Sequence, residues 1–199
     1  MDLFVIENII KQYESNDKFK NDRIKLMRLL FEIGIKGEKI TGKIFIRPSS
    51  RCINIKNGLV AMVHSKKYDY YKFPGGGIND GESKISALIR ETKEETGLII
   101  IPESIKEYGY VHRIEKSSHL DADYFIQDNY YYFCEVENNI CFQNLDTYEL
   151  EEEFTLEYVD HEKAIHINRN ILHGQKNQNM IEREAMVLEL LSLEGYFNR

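Results

Sequence analysis

A chain of 199 residues with 42% hydrophobic and 30% charged side chains has the make-up of a globular protein, one domain with an extension or one large domain. Its formal net charge of −7 speaks against a general nucleic-acid or anionic-membrane binder, while leaving room for a local basic pocket. No stretch approaches the roughly 20 apolar residues that a membrane span needs, so no membrane partner is expected.

Cys52, Cys134 and Cys141 contain no Cys-x-x-Cys pair, and an odd count closes no disulfide framework. A reduced, cytoplasmic protein is the reading. The opening Met1-Asp2-Leu3-Phe4 has no basic segment or long apolar run, so no signal peptide is expected.

Residues 1–34 carry a helical period. Phe4, Val5, Ile9 and Ile10 share one face, and Ile24, Met27, Leu30 and Phe31 repeat it after a polar break. Gly34, Gly37 and Gly42 then punctuate a transition. Residues 1–42 are therefore expected to be a helical extension packed on the main domain, or else a partner-binding element that would make the chain a homodimer. From Lys43 the pattern turns to strands. Residues 44–46 are apolar and end at Pro48, and residues 52–55 and 59–63 flank Asn57-Gly58, a strong hairpin signal. Residues 70–73 form another short strand, stopped by Pro74 and three glycines.

Next comes the segment that carries chemistry. The turn Gly75-Gly76-Gly77 leads into a helix predicted over 82–96, with Gly97 as its C-terminal stop. Ile85, Leu88, Ile89 and Thr92 would face the core. Glu91, Glu94 and Glu95 lie at i, i+3 and i+4, one face of a helix, with Cβ atoms roughly 5–6 Å apart. Carboxylates so crowded repel one another unless a positive charge sits among them, and a hard divalent cation suits oxygen donors. Strands are predicted at 98–101, 106–113, 129–136 and 154–159, a short helix from 160, and an amphipathic helix over 182–193. Helices between runs of strands, without regular alternation, indicate α+β: a mixed sheet with helices on both faces.

Gly76, then Glu82 after five residues, then Arg90-Glu91-Thr92-Lys93-Glu94-Glu95-Thr96-Gly97-Leu98 after seven more resembles the Nudix box. Every fixed position matches; Thr92 stands where an apolar residue is usual, and its methyl can still face the core. The resemblance implies an α/β/α sandwich around a mixed β-sheet, with the Nudix domain at 43–199 and the helical extension outside it. It also implies hydrolysis of a nucleoside diphosphate linked to another moiety. Glu91, Glu94 and Glu95 would occupy metal-binding positions, with the Gly75 carbonyl as a further ligand. The metal would be Mg²⁺, with Mn²⁺ as a substitute. Arg90 would orient the acids, and Glu82 would support the loop or a metal water. The general base would be Glu91 or a later glutamate, for which Glu151, Glu152 and Glu153 are the candidates.

The chemistry has its own reason. A pyrophosphate link repels both an attacking hydroxide and a leaving phosphate, and a divalent ion neutralises that charge. The alternative function is a non-catalytic nucleotide sensor, but such modules lose box acids and this chain keeps them. The blander readings also stand beside their rivals: Glu151–Glu153 as a solvated loop, Tyr130–Phe133 as core, Cys134 as a buried thiol, His112 and His119 as structural. The residues near Arg113–Lys116 show neither of two subgroup signatures, and the chain has no tryptophan. The substrate therefore stays open among nucleoside triphosphates, oxidised nucleotides, nucleotide sugars and capped or 5′-phosphorylated RNA, with Arg113, Lys116 and His119 as candidates for the substrate side.

Overall fold

The computed structural model of the chain describes residues 27–35, 37, 40–118 and 121–198. The helices expected within residues 1–26, and His119, lie outside the described residues. The principal sheet is organised on a long antiparallel pair, β8 (Lys106–Lys116) and β9 (Tyr124–Phe133), in a register that sets Arg113 opposite Gln127. Beside β9 run two short parallel strands, β2 (Ile44–Ile46) and β3 (Ser49–Ile53). They are one line of chain interrupted at Pro48, which has no backbone N–H to give to a ladder.

On the far side of β8 lies β1 (Leu29–Gly34), in parallel pairing that sets Phe31 opposite Val111 and Ile33 opposite Arg113. The helical expectation for these residues is corrected here. Leu30, Phe31 and Ile33 pack on the main core cluster as a strand would. Their helical spacing was real, but backbone pairing with the open edge of β8 overrides so weak a local preference.

The second sheet is antiparallel. β4 (Ile55–Lys56) and β5 (Leu59–Ser65) form the expected hairpin, with Asn57 at φ 53° and Gly58 at φ 77°, the two positive angles of a type I′ turn. Against β5 lie β6 (Tyr70–Lys72) and β11 (Phe154–Val159). A two-stranded piece joins β7 (Leu98–Ile100) to β10 (Val136–Ile140). Three longer helices cover the sheets: α1 (Lys84–Thr96) packs on β3, while α3 (His161–Asn170) and α4 (Gln178–Leu193) pack on each other and on β6. The short helix α2 (Thr147–Glu151) precedes β11. The architecture is α+β with mixed and antiparallel sheets, as the element pattern indicated. Among the described residues no helix is long and apolar enough to cross a membrane.

The core lies between the sheets and α4. Val60, Met62, Tyr71, Phe73, Val111, Tyr131, Val187, Leu188 and Leu191 form one cluster. Tyr130, Tyr131 and Tyr132 are buried, and so is Cys134, in line with the sequence reading. The inner face of α1 differs in part from the one expected. It consists of Ala87, Leu88, Thr92, Glu95 and Thr96, whereas Ile85 is 38% exposed. Helix α1 starts from an N-cap at Ser83, whose Oγ accepts the Ser86 N–H at 3.0 Å. It stops at Gly97, whose φ of 75° a residue with a Cβ reaches only at a cost.

Gly81 has nearly the same angle, φ 77°, but open space around it, whereas a Cβ on Gly97 would run into the Cys141 carbonyl. Gly81→Ala should therefore cost only the left-handed backbone term, on the order of 1–2 kcal/mol. Gly97→Ala should cost distinctly more. Urea unfolding of both variants checks this, and equal losses would contradict the packing account.

Candidate active site

Strand β6 ends at Phe73-Pro74, and the chain then turns through Gly75-Gly76-Gly77 before entering α1. The turn is sewn to β3: the Cys52 N–H donates to the Pro74 carbonyl at 2.8 Å and the Ser50 N–H to the Gly76 carbonyl at 3.0 Å. Gly75 has φ 130° and lies so close to the Ser50 carbonyl that a Cβ has no room. The turn is thus pressed between β3 and the helix, and two of the helix acids meet it. The Glu91 carboxylate lies over Gly76, in the space a side chain there would fill. Glu95 is 1% exposed and accepts the Gly75 N–H at 2.8 Å.

Arg90 ties the remaining acids together. Its Nε and Nη2 donate to the two oxygens of Glu82, each at 2.8 Å. Its Nη1 donates to Glu91 at 2.7 Å and to Glu94 at 3.0 Å. Nη2 also reaches the Gly77 carbonyl at 3.2 Å, so one guanidinium joins the turn, the loop and the helix. These bonds, the one to Glu82 foremost, raise the arginine's proton affinity, and the same bond holds the Glu82 carboxyl below its ordinary range.

Two more cations of the chain complete the picture. Lys72, 6% exposed, pairs with Glu95 and lies 4.8 Å from the centre of the Phe154 ring. Arg51 on β3, 7% exposed, donates to the Gly75 carbonyl. Glu91, Glu94, Glu95 and the Gly75 carbonyl are thus each engaged with an arginine or lysine. Among the described residues no three acids, histidines or cysteines converge into a finished metal cage. The donor set is nonetheless all hard oxygen, and every member of it draws positive charge.

The later glutamates divide in an unexpected way. Glu152 is 3% exposed and anchored: it accepts from Ser65 Oγ at 3.1 Å and Tyr70 OH at 2.8 Å, and pairs with Lys176. Glu151 and Glu153 are exposed. The acid whose charge acts on Glu95 is Glu149, buried on α2, which sequence reasoning missed. It accepts the Asp146 N–H at 2.8 Å as half of a capping box. Asp146-Thr147-Tyr148-Glu149 carries that signature and would have located both the helix and the acid. On β8, His112 is held by Asp128 at 2.6 Å and Lys116 donates to Tyr124 OH at 2.8 Å. Arg113 instead lines a cavity of about 310 Å³ with Arg47, Arg51 and Arg183. Arg183 also escaped the sequence reading, because its partners Asn129 and Gln127 lie on a distant strand.

The sequence matches the family model of the NUDIX domain over residues 46–180, which takes in the turn, α1 and most of both sheets. The chain belongs to the Nudix family. It is accordingly a pyrophosphohydrolase, of a family that generally uses divalent metal ions. A solved Nudix structure shares the fold. A Nudix hydrolase from Nitrosomonas europaea superposes with a TM-score of 0.50 at 14% identity, over 74% of this chain and 90% of that one. The MutT protein of Bacillus halodurans is 18% identical, over 61% of this chain and 72% of its own, with a TM-score of 0.46. No curated protein matches the sequence.

Within this Nudix site, burial is the largest influence on Glu95 and pushes its carboxyl up to about 7; Lys72 and Arg51 oppose the shift, and Glu149 adds to it. A raised value means that the folded, metal-free chain holds this proton more tightly than the unfolded chain. The stability that follows is fully present below about pH 4.5 and is lost as pH rises through about 7. Carboxyl NMR of the metal-free protein should show one glutamate titrating near neutrality, and the signal should vanish in Glu95→Gln. Only ordinary glutamate titrations in the wild type would refute the burial account.

Proposed function

We propose that the chain is a Mg²⁺-dependent hydrolase that cleaves the pyrophosphate linkage of a nucleoside diphosphate joined to another moiety. The observation that carries this reading is the pair Glu91 and Glu95, which meet one glycine turn, Glu91 over Gly76 and Glu95 on the Gly75 N–H. Glu91, Glu94, Glu95 and Gly75 would hold the ion, since hard oxygen donors suit Mg²⁺ and also accept Mn²⁺. Arg90, Lys72 and Arg51 now supply the positive charge that these donors demand. When bound, the ion would offset the charge of the diphosphate and acidify water beside it.

The remaining parts belong to the chain's own residues. Arg90 is a positioning residue: its fork on Glu82 fixes the loop after the turn, and its Nη1 holds Glu91 and Glu94 on one shared donor. We assign the general base to Glu91, whose side chain is 17% exposed over the turn. Glu152 has a structural part, because three partners already use its oxygens. The unit that does this work begins by Leu29, since β1 pairs with β8; residues 1–26 are an accessory. Small nucleotides and nucleotide sugars both fit this reaction, and RNA with a capped or 5′-polyphosphorylated end carries the same linkage. No observation favours the sensor reading.

Glu95→Gln keeps shape but removes a ligand charge and should lower kcat by a factor on the order of 10² or more if the ion supplies several kcal/mol. Glu91→Gln should fall comparably, while Glu152→Gln should stay within about tenfold of wild type, a loss worth no more than about 1.4 kcal/mol. Steady-state hydrolysis of a nucleotide panel in Mg²⁺ measures all three. Near-wild-type turnover in Glu95→Gln would sink the assignment. A chain lacking residues 1–26 should keep metal-dependent hydrolysis; loss of activity in a folded truncation would place that segment in the site.

A further inference from the structure

Beside the glycine turn lies the 310 Å³ cavity, and its lining is rich in arginine. Arg51 and Arg113 are each 7% exposed and Arg183 is 0% exposed, whereas Arg47, between β2 and β3, is exposed. Arg183 is matched by its ion pair with Glu184. Arg113 has only a distant approach to Glu115, at 3.5 Å, and that carboxylate also accepts from Asn177 at 2.9 and 3.0 Å. Arg51 has only carbonyl acceptors, on Gly75 and Phe73. The Nε atoms of Arg51 and Arg113 are buried with no hydrogen-bond acceptor.

Buried guanidiniums without counter-charge cost free energy that a folded chain does not spend idly. The strain reaches Arg113 itself, whose proton affinity falls to about 10 through burial and the neighbouring Arg183. With Glu115 and Glu184 set against the four arginines, and Glu95 shared between Lys72 and Arg51, positive charge stays in excess at the cavity, which suits an ionised phosphate. Arginine forks also match phosphate oxygens in geometry, and at roughly 30 Å³ per water the space exceeds what one phosphate needs.

The cavity is joined to the turn. Arg51 bridges them by its bond to the Gly75 carbonyl, and the Arg47 guanidinium packs over Gly77. We propose that this cavity holds the free, ionised terminal phosphate of the substrate. It would make the chain select a small nucleotide with a polyphosphate end over a nucleotide sugar, whose distal group is neutral. Arg47 and Arg113 are then the specificity-determining residues, and Phe125, 4.9 Å beneath the Arg113 guanidinium, keeps that fork in place. The proposal rests on the hydrolase reading for the word substrate, but not for the anion site.

The test separates the two. Inorganic tripolyphosphate is titrated by calorimetry into the full chain without divalent metal, in the wild type, Arg47→Ala and Arg113→Met. Hydrolysis of a nucleoside triphosphate and of a nucleotide sugar is then compared in Mg²⁺. Tripolyphosphate should bind the wild type and lose tenfold or more in affinity in both variants. The preference for the triphosphate in kcat/KM should drop by at least tenfold in each. Arg47→Ala, at an exposed position, keeps the test readable if Arg113→Met fails to fold. Tripolyphosphate binding unchanged in Arg47→Ala, or a wild type that prefers the nucleotide sugar, would overturn the proposal. Arginine-dependent binding without turnover of any nucleotide would uphold the anion site and remove the hydrolase reading. Turnover indifferent to both substitutions would do the reverse.

Discussion

Carboxylates crowded on one helix must have positive charge, and at this site that need organises everything within reach. At 4 Å two like charges repel by about 4 kcal/mol even at an effective dielectric of 20. Left bare, Glu91, Glu94 and Glu95 would repel one another along one face of α1. Arg90 offsets two of them and draws in Glu82 as a fourth. Lys72 offsets Glu95, the one acid that is buried, and does so from β6, the strand that leads into the turn. Because the same strand delivers the lysine and the glycines, the position of the acids and the path of the turn are set together.

The turn therefore touches two groups of side chains of opposite sign. One is the acids of α1 with, near Glu95, Glu149 of α2. The other is Arg47, Arg51, Arg113 and Arg183. Arg51 touches both, through the Gly75 carbonyl on one hand and the cavity on the other. Three glycines make this possible in different ways. Gly75 admits β3, Gly76 admits Glu91 and Gly77 admits Arg47, and a methyl group at any of the three would push its neighbour away from the turn.

Much of the local structure was legible because it depends on neighbours in the chain. Asn57-Gly58 dictated a type I′ turn, Pro48 ended a strand, and Gly97 stopped the helix. The buried tyrosines of β9 followed from their aromatic run. What failed was what depended on distant partners. Leu30, Phe31 and Ile33 read as a helix because nothing within the segment announces the unpaired edge of β8. Ile85 read as core because its spacing suits the face, whereas the surface that α1 packs on, around β3 and β7, selects Ala87 instead. Among the acids before β11, an unbroken glutamate run drew attention away from Glu149, which only the packing of α2 brings toward Glu95.

The sequence by itself determined the reaction-bearing segment: a glycine turn, a capped helix, three acids at i, i+3 and i+4 and an arginine in register with them. Spacing along a helix is a local property, so the residues alone specify which side chains share a face. The tertiary structure decided which cations those acids meet and what lies behind the turn. Lys72 reaches Glu95 across 23 residues and Arg183 reaches Asn129 across 54, and no local period encodes such meetings. They follow from how the two sheets and α4 close on one another, because burial leaves each charged group only the partners that the packing brings to it.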